Sequence, residues 1–219
     1  MTRASPSILL EVADLSVEFD GAGRAIRAVD RVGFCLAQAE SLGIVGESGC
    51  GKSAMARAIL GLVRGGRIAG GSVKFQGCEL VGAPERALRE IRGAKIAMVF
   101  QEPSTALDPV FTIGAQIMET IAAHRSATRS DRRATAIELL AQVGIAAPER
   151  RFDAYPHQLS GGMKQRALIA IALAANPEIL LADEPTTALD ATVQSEILEL
   201  FAQLRRDRGL AMVFISHDL

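Results

Sequence analysis

Apolar and polar residues alternate in the first part of the chain, whereas later parts show short apolar runs separated by helical periodicity. The alternation over residues 8–37 predicts a small antiparallel sheet, and residues 70–77 have the pattern of a further strand of that sheet. Buried strands are predicted from apolar runs at 41–45, 95–100, 179–183 and 211–215. Strands that alternate with helices indicate a parallel sheet with its chemistry at the carboxyl ends of the strands. The predicted fold class is therefore α/β.

A largely helical block separates the strand-rich parts of the sequence. Helical periodicity begins near Thr112, and a second helical segment ends near Gly144. The apolar residues spaced by four in the first segment are Ile113, Ile117 and Ile121. We predict one domain over the whole chain, in which residues 103–158 and the start of the next helix form an inserted helical lobe.

A glycine-rich segment between a predicted strand and a predicted helix has the pattern G-x-x-x-x-G-K-[ST]. Its residues are Gly46, Glu47, Ser48, Gly49, Cys50, Gly51, Lys52 and Ser53. In this pattern backbone N–H groups surround a phosphate, and the positive dipole end of the helix points at the same place. Lys52 would reach the β- and γ-phosphates, and the Ser53 hydroxyl would bind Mg²⁺. The helix is predicted from apolar residues on one face, which are Met55, Ile59, Leu62 and Val63.

Polar residues also follow three other predicted strands. Asp183 and Glu184 close one of them, where the first can hold Mg²⁺ and the second can orient or deprotonate the attacking water. The alternative is that both acids cap the turn that follows. Gln101 is either a ligand of metal and water or an ordinary loop amide. His217 is compatible with a γ-phosphate contact, but its position alone does not favour that role.

Composition narrows the classes of function. The 219 residues, 49% of them hydrophobic, suffice for one large α/β domain. A net charge of −1, a single Tyr and no Trp argue against binding of nucleic acid. Three cysteines without C-x-x-C spacing indicate a reduced compartment, and Cys50 is interpreted as a small filler rather than a redox switch. With no signal peptide and no apolar run long enough for a bilayer, we expect a soluble chain.

Six motifs in a fixed order give the sequence a resemblance to a known family. Besides the phosphate loop and Gln101, they are LSGGM at 159–163, LLADEP at 180–185, ALD at 188–190 and SHD at 216–218. Together they resemble the nucleotide-binding subunit of an ATP-binding cassette (ABC) transporter over essentially the whole chain. The segments similar to the oligopeptide, dipeptide and nickel importer group are FQEPSTALDP at 100–109, YPHQLSGG at 155–162 and PTTALD at 185–190.

The resemblance implies a fold and a reaction. The fold would be a P-loop NTPase core with a parallel sheet, an N-terminal antiparallel β subdomain and an inserted helical subdomain. The reaction would be hydrolysis of ATP with Mg²⁺. The implied catalytic residues are Lys52, Gln101, Glu184 and His217, and the implied metal ligands are Ser53, Gln101 and Asp183.

The resemblance also implies that two cassettes meet head to tail. Each ATP would lie between the phosphate loop of one subunit and the segment Ser160, Gly161 and Gly162 of the other. Asp190 would lie at the seam of this dimer, which is either a homodimer or a pair with a paralogue. Phe19 matches the position of an aromatic ring that stacks on adenine, and its alternative role is that of a core strand residue.

Further partners and the cargo follow from the same resemblance. The helical lobe would dock on transmembrane permease subunits at the cytoplasmic face of the membrane, together with an extracytoplasmic substrate-binding protein. The cargo would be a peptide or a related small solute, nickel included. The alternatives are DNA-repair, translation-associated and purely regulatory cassettes. The absence of long heptad runs argues against the first, the single cassette against the second, and the intact site residues against the third. Family members continue past the histidine motif, so we expect this chain to be a fragment or a truncated form.

Overall fold

The computed structural model describes residues 8–21, 24–187 and 189–217. Its strands are β1 (Ile8–Asp20), β2 (Ala25–Ala37), β3 (Ser41–Val45), β4 (Gly66–Phe75), β5 (Cys78–Glu79), β6 (Ile96–Val99), β7 (Ile179–Asp183) and β8 (Ala211–Ser216). Its helices are α1 (Lys52–Ile59), α2 (Glu85–Ile91), α3 (Pro103–Ala106), α4 (Ile113–His124), α5 (Arg129–Gln142), α6 (Pro148–Phe152), α7 (Gly161–Leu173) and α8 (Ala191–Arg208), with a 3₁₀ turn at Pro156–Gln158.

Two four-stranded sheets form the framework of the described residues. The first is antiparallel with the order β2-β1-β4-β5, and the second has the order β3-β8-β7-β6 with every neighbouring pair parallel. The register places Val45 opposite Ser216, and Asp183 opposite Ile215. The carboxyl ends of β3, β7 and β8 therefore lie at one edge of the parallel sheet, which is where the polar residues are predicted to meet.

Two hydrophobic clusters cover the two faces of the parallel sheet. One joins the sheet to α1 and the antiparallel sheet, with Leu10, Leu15 and Ile59 fully buried. The other joins the sheet to α7, α8 and the helices that precede them. The isoleucines spaced by four along α4 belong to this second cluster, together with Val99 of β6. The helical block thus packs directly against the strand that leads to Gln101.

Helix α1 ends earlier than the sequence pattern predicts. Gly61 adopts a φ of +62°, and the N–H groups of Gly61 and Leu62 bond back to carbonyls of the last helical turn at 2.9 and 2.8 Å. This pair of bonds is a Schellman ending, which glycine favours because it has no β-carbon. The prediction that Leu62 and Val63 continue the apolar face of the helix is therefore wrong. Both side chains line a surface depression near Phe19 and Phe100 instead.

Pairing across the sheet moves two strand boundaries away from the predicted ones. Strand β4 begins at Gly66 rather than at residue 70, because it pairs with β1 as far as Phe19 opposite Gly66. Strand β6 covers Ile96–Val99, which is shorter than the predicted 95–100. Both differences come from partners distant in sequence, which the local pattern does not contain.

Helix α8, with 18 residues, ends in a turn of four charged side chains, Arg205 to Arg208. None of the helices in the described part of the chain is long and apolar enough to cross a membrane.

Candidate active site

A glycine is required where the phosphate loop joins α1. Gly51 precedes the helix with a φ of +96°, and its carbonyl oxygen accepts the N–H of Met55 at 2.9 Å. A β-carbon at this position would lie 2.0 Å from the carbonyl oxygen of Ala28 in β2. The positive φ and the close approach of another backbone both favour glycine alone. The loop is therefore held against the antiparallel sheet by main-chain contact.

Lys52 lies inside the loop rather than on its surface. The residue is only 8% exposed, and its Nζ donates to the carbonyl oxygens of Gly46 at 2.6 Å and Glu47 at 2.8 Å. The sulfur of Cys50 lies 3.7 Å from the same nitrogen, while Cys50 as a whole is exposed. An ammonium held by neutral carbonyls can exchange them for phosphate oxygens, which are stronger acceptors.

Ser53 and Asp183 meet although they are distant in sequence. Ser53 Oγ donates to Asp183 Oδ1 at 2.8 Å. Asp183 is 1% exposed, and its Oδ2 has no hydrogen-bond partner among the described residues. Burial raises the pKa of Asp183, and the nearby Glu184 adds to this effect, whereas the Ser53 hydroxyl and Arg57 oppose it. A buried carboxylate with one unpaired oxygen is well suited to a cation.

These oxygens fit the magnesium ion that accompanies a nucleotide. Mg²⁺ prefers oxygen ligands and usually combines one or two protein groups with phosphate oxygens and water. Ser53 Oγ and the unpaired Oδ2 of Asp183 supply such groups. Within the described ranges, no three or more His, Cys, Asp or Glu side chains form a group that could hold a metal. The site thus fits an ion shared with phosphate rather than one enclosed by protein alone.

Three side chains converge on one oxygen of Glu184. Glu184 Oε2 accepts a hydrogen bond from Gln101 Nε2 at 2.9 Å and from Thr187 Oγ1 at 3.0 Å, and lies 3.1 Å from His217 Nδ1. The Glu184 side chain is 10% exposed, whereas that of His217 is 41% exposed. The predicted residues Gln101, Glu184 and His217 are therefore in direct contact. A carboxylate held in this way has a fixed orientation at the edge of the sheet.

The backbone turn at Glu184 explains why the side chains of the adjacent residues Asp183 and Glu184 contact different partners. Glu184 adopts a φ of +47°, which is uncommon for a residue with a side chain, and its N–H donates to the carbonyl of Ile215 at 3.0 Å. The chain turns at this point, so Asp183 reaches Ser53 while Glu184 reaches Gln101. Backbone conformations of this kind persist where the surrounding contacts impose them, and they are concentrated at functional sites.

Phe19 lies beside the phosphate loop at the mouth of a cleft. The cleft has a volume of about 340 Å³, and its lining residues are Phe19, Ala28, Ser48, Gly49, Gly51, Lys52, Ser53, Ala54, Gln101 and Glu184. The Phe19 ring lies over Gly66, where a β-carbon would approach a ring carbon to 2.7 Å. Its cross-strand neighbour Ile26 is 61% exposed. The Phe19 ring gives the cleft an apolar surface of a kind that suits a flat base.

Four predicted site residues lie apart from this cleft. Ser160 caps α7 by accepting the N–H of Met163 at 3.3 Å, and Asp190 caps α8 by accepting the N–H of Val193 at 3.0 Å. Gly161 and Gly162 form the first turn of α7, and a β-carbon on Gly162 would lie 2.7 Å from Val193. None of the four lines the cleft described above. Two residues of the quoted motifs, Ala188 and Asp218, lie outside the described residues.

One side chain of the site, that of Thr187, is not among the predicted site residues. Thr187 lies three residues after Glu184, in the turn that follows the two acids, and its hydroxyl contacts the Glu184 carboxylate. The signal for Thr187 was its place in the same motif as the acids, and the contact itself depends on the turn geometry.

Comparison with known proteins decides the family. The sequence profile described as ABC transporter matches residues 29–187. The chain belongs to the ABC transporter family. The ATP-binding cassette MJ0796, solved as a dimer in a post-hydrolysis state bound to ADP and Pi, superposes with a TM-score of 0.85 at 32% identity, covering 96% of this chain and 88% of that one. The predicted family and the predicted ABC fold class are thereby confirmed.

Among curated members of the ABC transporter family, the chain is similar to peptide transport proteins. It is 50% identical over 212 residues to the dipeptide transport ATP-binding protein DppD of Escherichia coli, and 48% identical over 212 residues to that of Haemophilus influenzae. These matches cover 96% of this chain but 65% and 64% of the relatives. A probable peptide ABC transporter ATP-binding protein of Sinorhizobium fredii is 50% identical, with 97% and 64% coverage. The chain thus spans just under two thirds of the length of these relatives.

Proposed function

We propose that this chain binds and hydrolyses ATP with Mg²⁺ and thereby drives import of dipeptides or other short peptides. The observation that carries the proposal is the joint placement of the buried Ser53–Asp183 pair and the oriented Glu184 carboxylate beside one phosphate loop. The first arrangement suits a phosphate-bound cation, and the second suits an attacking water. Both lie at the carboxyl edge of the parallel sheet, and phosphoryl transfer to water requires a cation on the phosphate and a positioned water side by side.

Different residues of the site have different roles in the proposed reaction. Backbone N–H groups of the loop and Lys52 would hold the β- and γ-phosphates in place of the carbonyls that Lys52 contacts now. Mg²⁺, held by Ser53 and Asp183, would neutralise charge on the phosphate oxygens. Glu184 would orient a water molecule and accept its proton as the water oxygen attacks the γ-phosphorus and ADP leaves. Positioning by such groups accounts for most of the catalysis in phosphoryl transfer.

Gln101 and His217 are proposed to align this carboxylate and the γ-phosphate. Both contact Glu184 Oε2, and Gln101 also lines the nucleotide cleft. The exposed edge of the His217 ring leaves it able to reach a phosphate oxygen. Phe19, with its ring at the cleft mouth, is proposed to stack on adenine.

A second cassette is proposed to complete each site. Ser160, Gly161 and Gly162 open α7 outside this chain's own cleft, and a helix N-terminus with small residues offers N–H groups to an anion. MJ0796 is described as dimeric, which supports the same arrangement here. Asp190 is proposed to lie at the seam. The partner would be a second copy of this chain or a paralogue.

The permease is proposed to dock beside the helical block. Three large apolar side chains are exposed close together in the sequence, where Phe100, Val110 and Phe111 are 39, 69 and 52% exposed, and grouped exposed apolar residues are typical of a protein interface. Phe100 and Phe111 line a depression of about 380 Å³, together with Met98 and Leu168 and with Asp108 and Glu119 among its polar residues. Phe100 directly precedes Gln101, so movement of a docked partner would reach the nucleotide cleft. This docking would place the chain at the cytoplasmic face of the membrane.

Peptides are proposed as the cargo because the relatives described above are named for dipeptide or peptide transport. The same similarity favours transport over DNA-repair, translation-associated and regulatory roles. Nickel remains the alternative cargo within the importer group. An extracytoplasmic binding protein is proposed to deliver the peptide to the permease.

Two measurements on the whole protein test the proposal separately. Phosphate release from Mg²⁺-ATP should be detectable in the wild type with its partners and should fall at least about a hundredfold in Glu184→Gln. Uptake of a labelled dipeptide should disappear when the gene is deleted, and only the wild-type gene should restore it. Unchanged hydrolysis in the variant would contradict the role of Glu184. If deletion of the gene abolished nickel uptake but left dipeptide uptake intact, that result would contradict the proposed cargo.

A further inference from the structure

Thr187 makes a contact with Glu184 to which the reaction proposed above assigns no role. Its Oγ1 donates to Glu184 Oε2 at 3.0 Å, in a cluster that contains the Gln101 bond at 2.9 Å and the His217 ring nitrogen at 3.1 Å. Thr187 lies on the same strand-to-helix connection as Glu184, whereas Gln101 and His217 come from other strands. The carboxylate is therefore held from its own connection as well as across the sheet.

The turn between β7 and α8 directs the threonine at the carboxylate. Glu184 has a φ of +47°, and the N–H of Thr187 lies 3.4 Å from the carbonyl oxygen of Glu184. The N–H of Leu189 donates to the carbonyl of Thr186 at 3.1 Å. These contacts fold the segment back, so that the hydroxyl faces Oε2 three residues after the acid.

We propose that Thr187 is a positioning residue for ATP hydrolysis, which fixes the Glu184 carboxylate through its hydroxyl. This inference rests on the proposed function, because it concerns the orientation of the proposed base. A hydrogen bond to an ionised carboxylate is stronger than one between neutral groups, and a carboxylate that has lost one of its donors has greater rotational freedom. The hydroxyl thus acts through Glu184 and does not itself contact substrate.

Because Thr187 is exposed, substitutions can separate its proposed positioning role from a role in stabilising the fold. Thr187 is exposed, so replacing it with valine removes the hydroxyl without leaving a cavity in the core. Serine keeps the hydroxyl and loses only a methyl group. A change that follows the hydroxyl rather than the methyl group therefore reports on the contact with Glu184.

The test compares Thr187→Val, Thr187→Ser and the control Thr135→Val in the whole protein with its partners. Thr135 lies on α5 and has no part in the cluster, so its variant makes the same chemical change elsewhere. We expect Thr187→Val to lower kcat by about tenfold with a KM for ATP within about twofold of the wild type, since one charge-assisted bond is lost. Thr187→Ser should retain most of the wild-type kcat. The melting temperature should be the same for all four proteins.

The outcomes distinguish this inference from the function on which it rests. A wild-type kcat in Thr187→Val, with hydrolysis normal in the wild type, overturns the role of Thr187 and leaves the proposed function intact. Equal losses in the Val and Ser variants, or a loss explained by a lower melting temperature, also overturn it. Absence of hydrolysis in the wild type overturns the proposed function and the inference with it.

Discussion

Replacement of Gly51 by alanine tests whether the phosphate loop has the conformation described above. The added β-carbon would lie 2.0 Å from the carbonyl oxygen of Ala28 and 3.0 Å from its carbon. Ordinary carbon–oxygen contacts are about 3.4 Å, so one of the two backbones must move by about 1.4 Å. The atom that would have to move belongs to strand β2, which pairs with β1. It is therefore a main-chain obstacle rather than the end of a flexible side chain.

The magnitude follows from the backbone strain and the collision together. A non-glycine residue at this φ of +96° costs roughly 1–3 kcal/mol, and overpacking adds a similar amount. We expect a total of about 4 kcal/mol for Gly51→Ala, which corresponds to a fall of about 8–16 °C in melting temperature for a chain of this size. If the loop rearranges instead, the loss is expected in ATP affinity, because the N–H groups no longer converge.

The matched control is Gly209→Ala at the end of α8. Gly209 has a φ of +62°, and a β-carbon there would have no atom within 4 Å. Its cost should be about 1 kcal/mol, from the backbone alone. Thermal unfolding and equilibrium binding of ATP are measured for both variants. A Gly51→Ala protein that melts like the wild type and binds ATP equally well would refute the close packing of the loop against β2.

Three further predictions concern Asp183 and Phe19. Asp183→Asn should raise the melting temperature of the nucleotide-free protein, because a buried charge with an unpaired oxygen is removed, while Mg²⁺ should no longer strengthen ATP binding in calorimetry. Burial raises the pKa of Asp183, so its charged form is disfavoured in the folded protein. The stability of the nucleotide-free protein, compared with that of Asp183→Asn, should therefore rise as pH falls through the raised pKa. The magnesium dependence of ATP binding should fade over the same pH range. Phe19→Ala should weaken ATP binding by about 1 kcal/mol, and Phe19→Tyr should not, whereas tripolyphosphate binding, measured as competition, should be unchanged in both.

The parts of the site that follow from local sequence could be predicted. The glycine pattern places Lys52 and Ser53 at the start of a helix, and the apolar run ending at Asp183 places the acids at a strand end. Because β3, β7 and β8 are parallel, their carboxyl ends share one edge, and the residues after them meet. The contact between Ser53 and Asp183 follows from that rule, although they are 130 residues apart.

The parts that depend on a particular backbone turn could not be predicted. The positive φ of Glu184 and the fold-back of Thr187 have no signature in residue type, since neither residue is glycine. The early end of α1 had a signal in Gly61, but Leu62 and Val63 continued the apolar spacing and obscured it. Ser160 and Asp190 have cap positions that the sequence indicates well, while their proposed roles require a second chain.

The most direct test of the two-site account is the mass of the Glu184→Gln protein in solution. Light scattering after size exclusion is measured with and without Mg²⁺-ATP, for the whole protein alone and mixed with any paralogous cassette of the same organism. If two cassettes share each ATP, a dimer should form only with ATP and should be lost when Ser160→Phe is added. A protein that binds ATP yet stays monomeric in every mixture would contradict the shared site, and so would a dimer unaffected by Ser160→Phe.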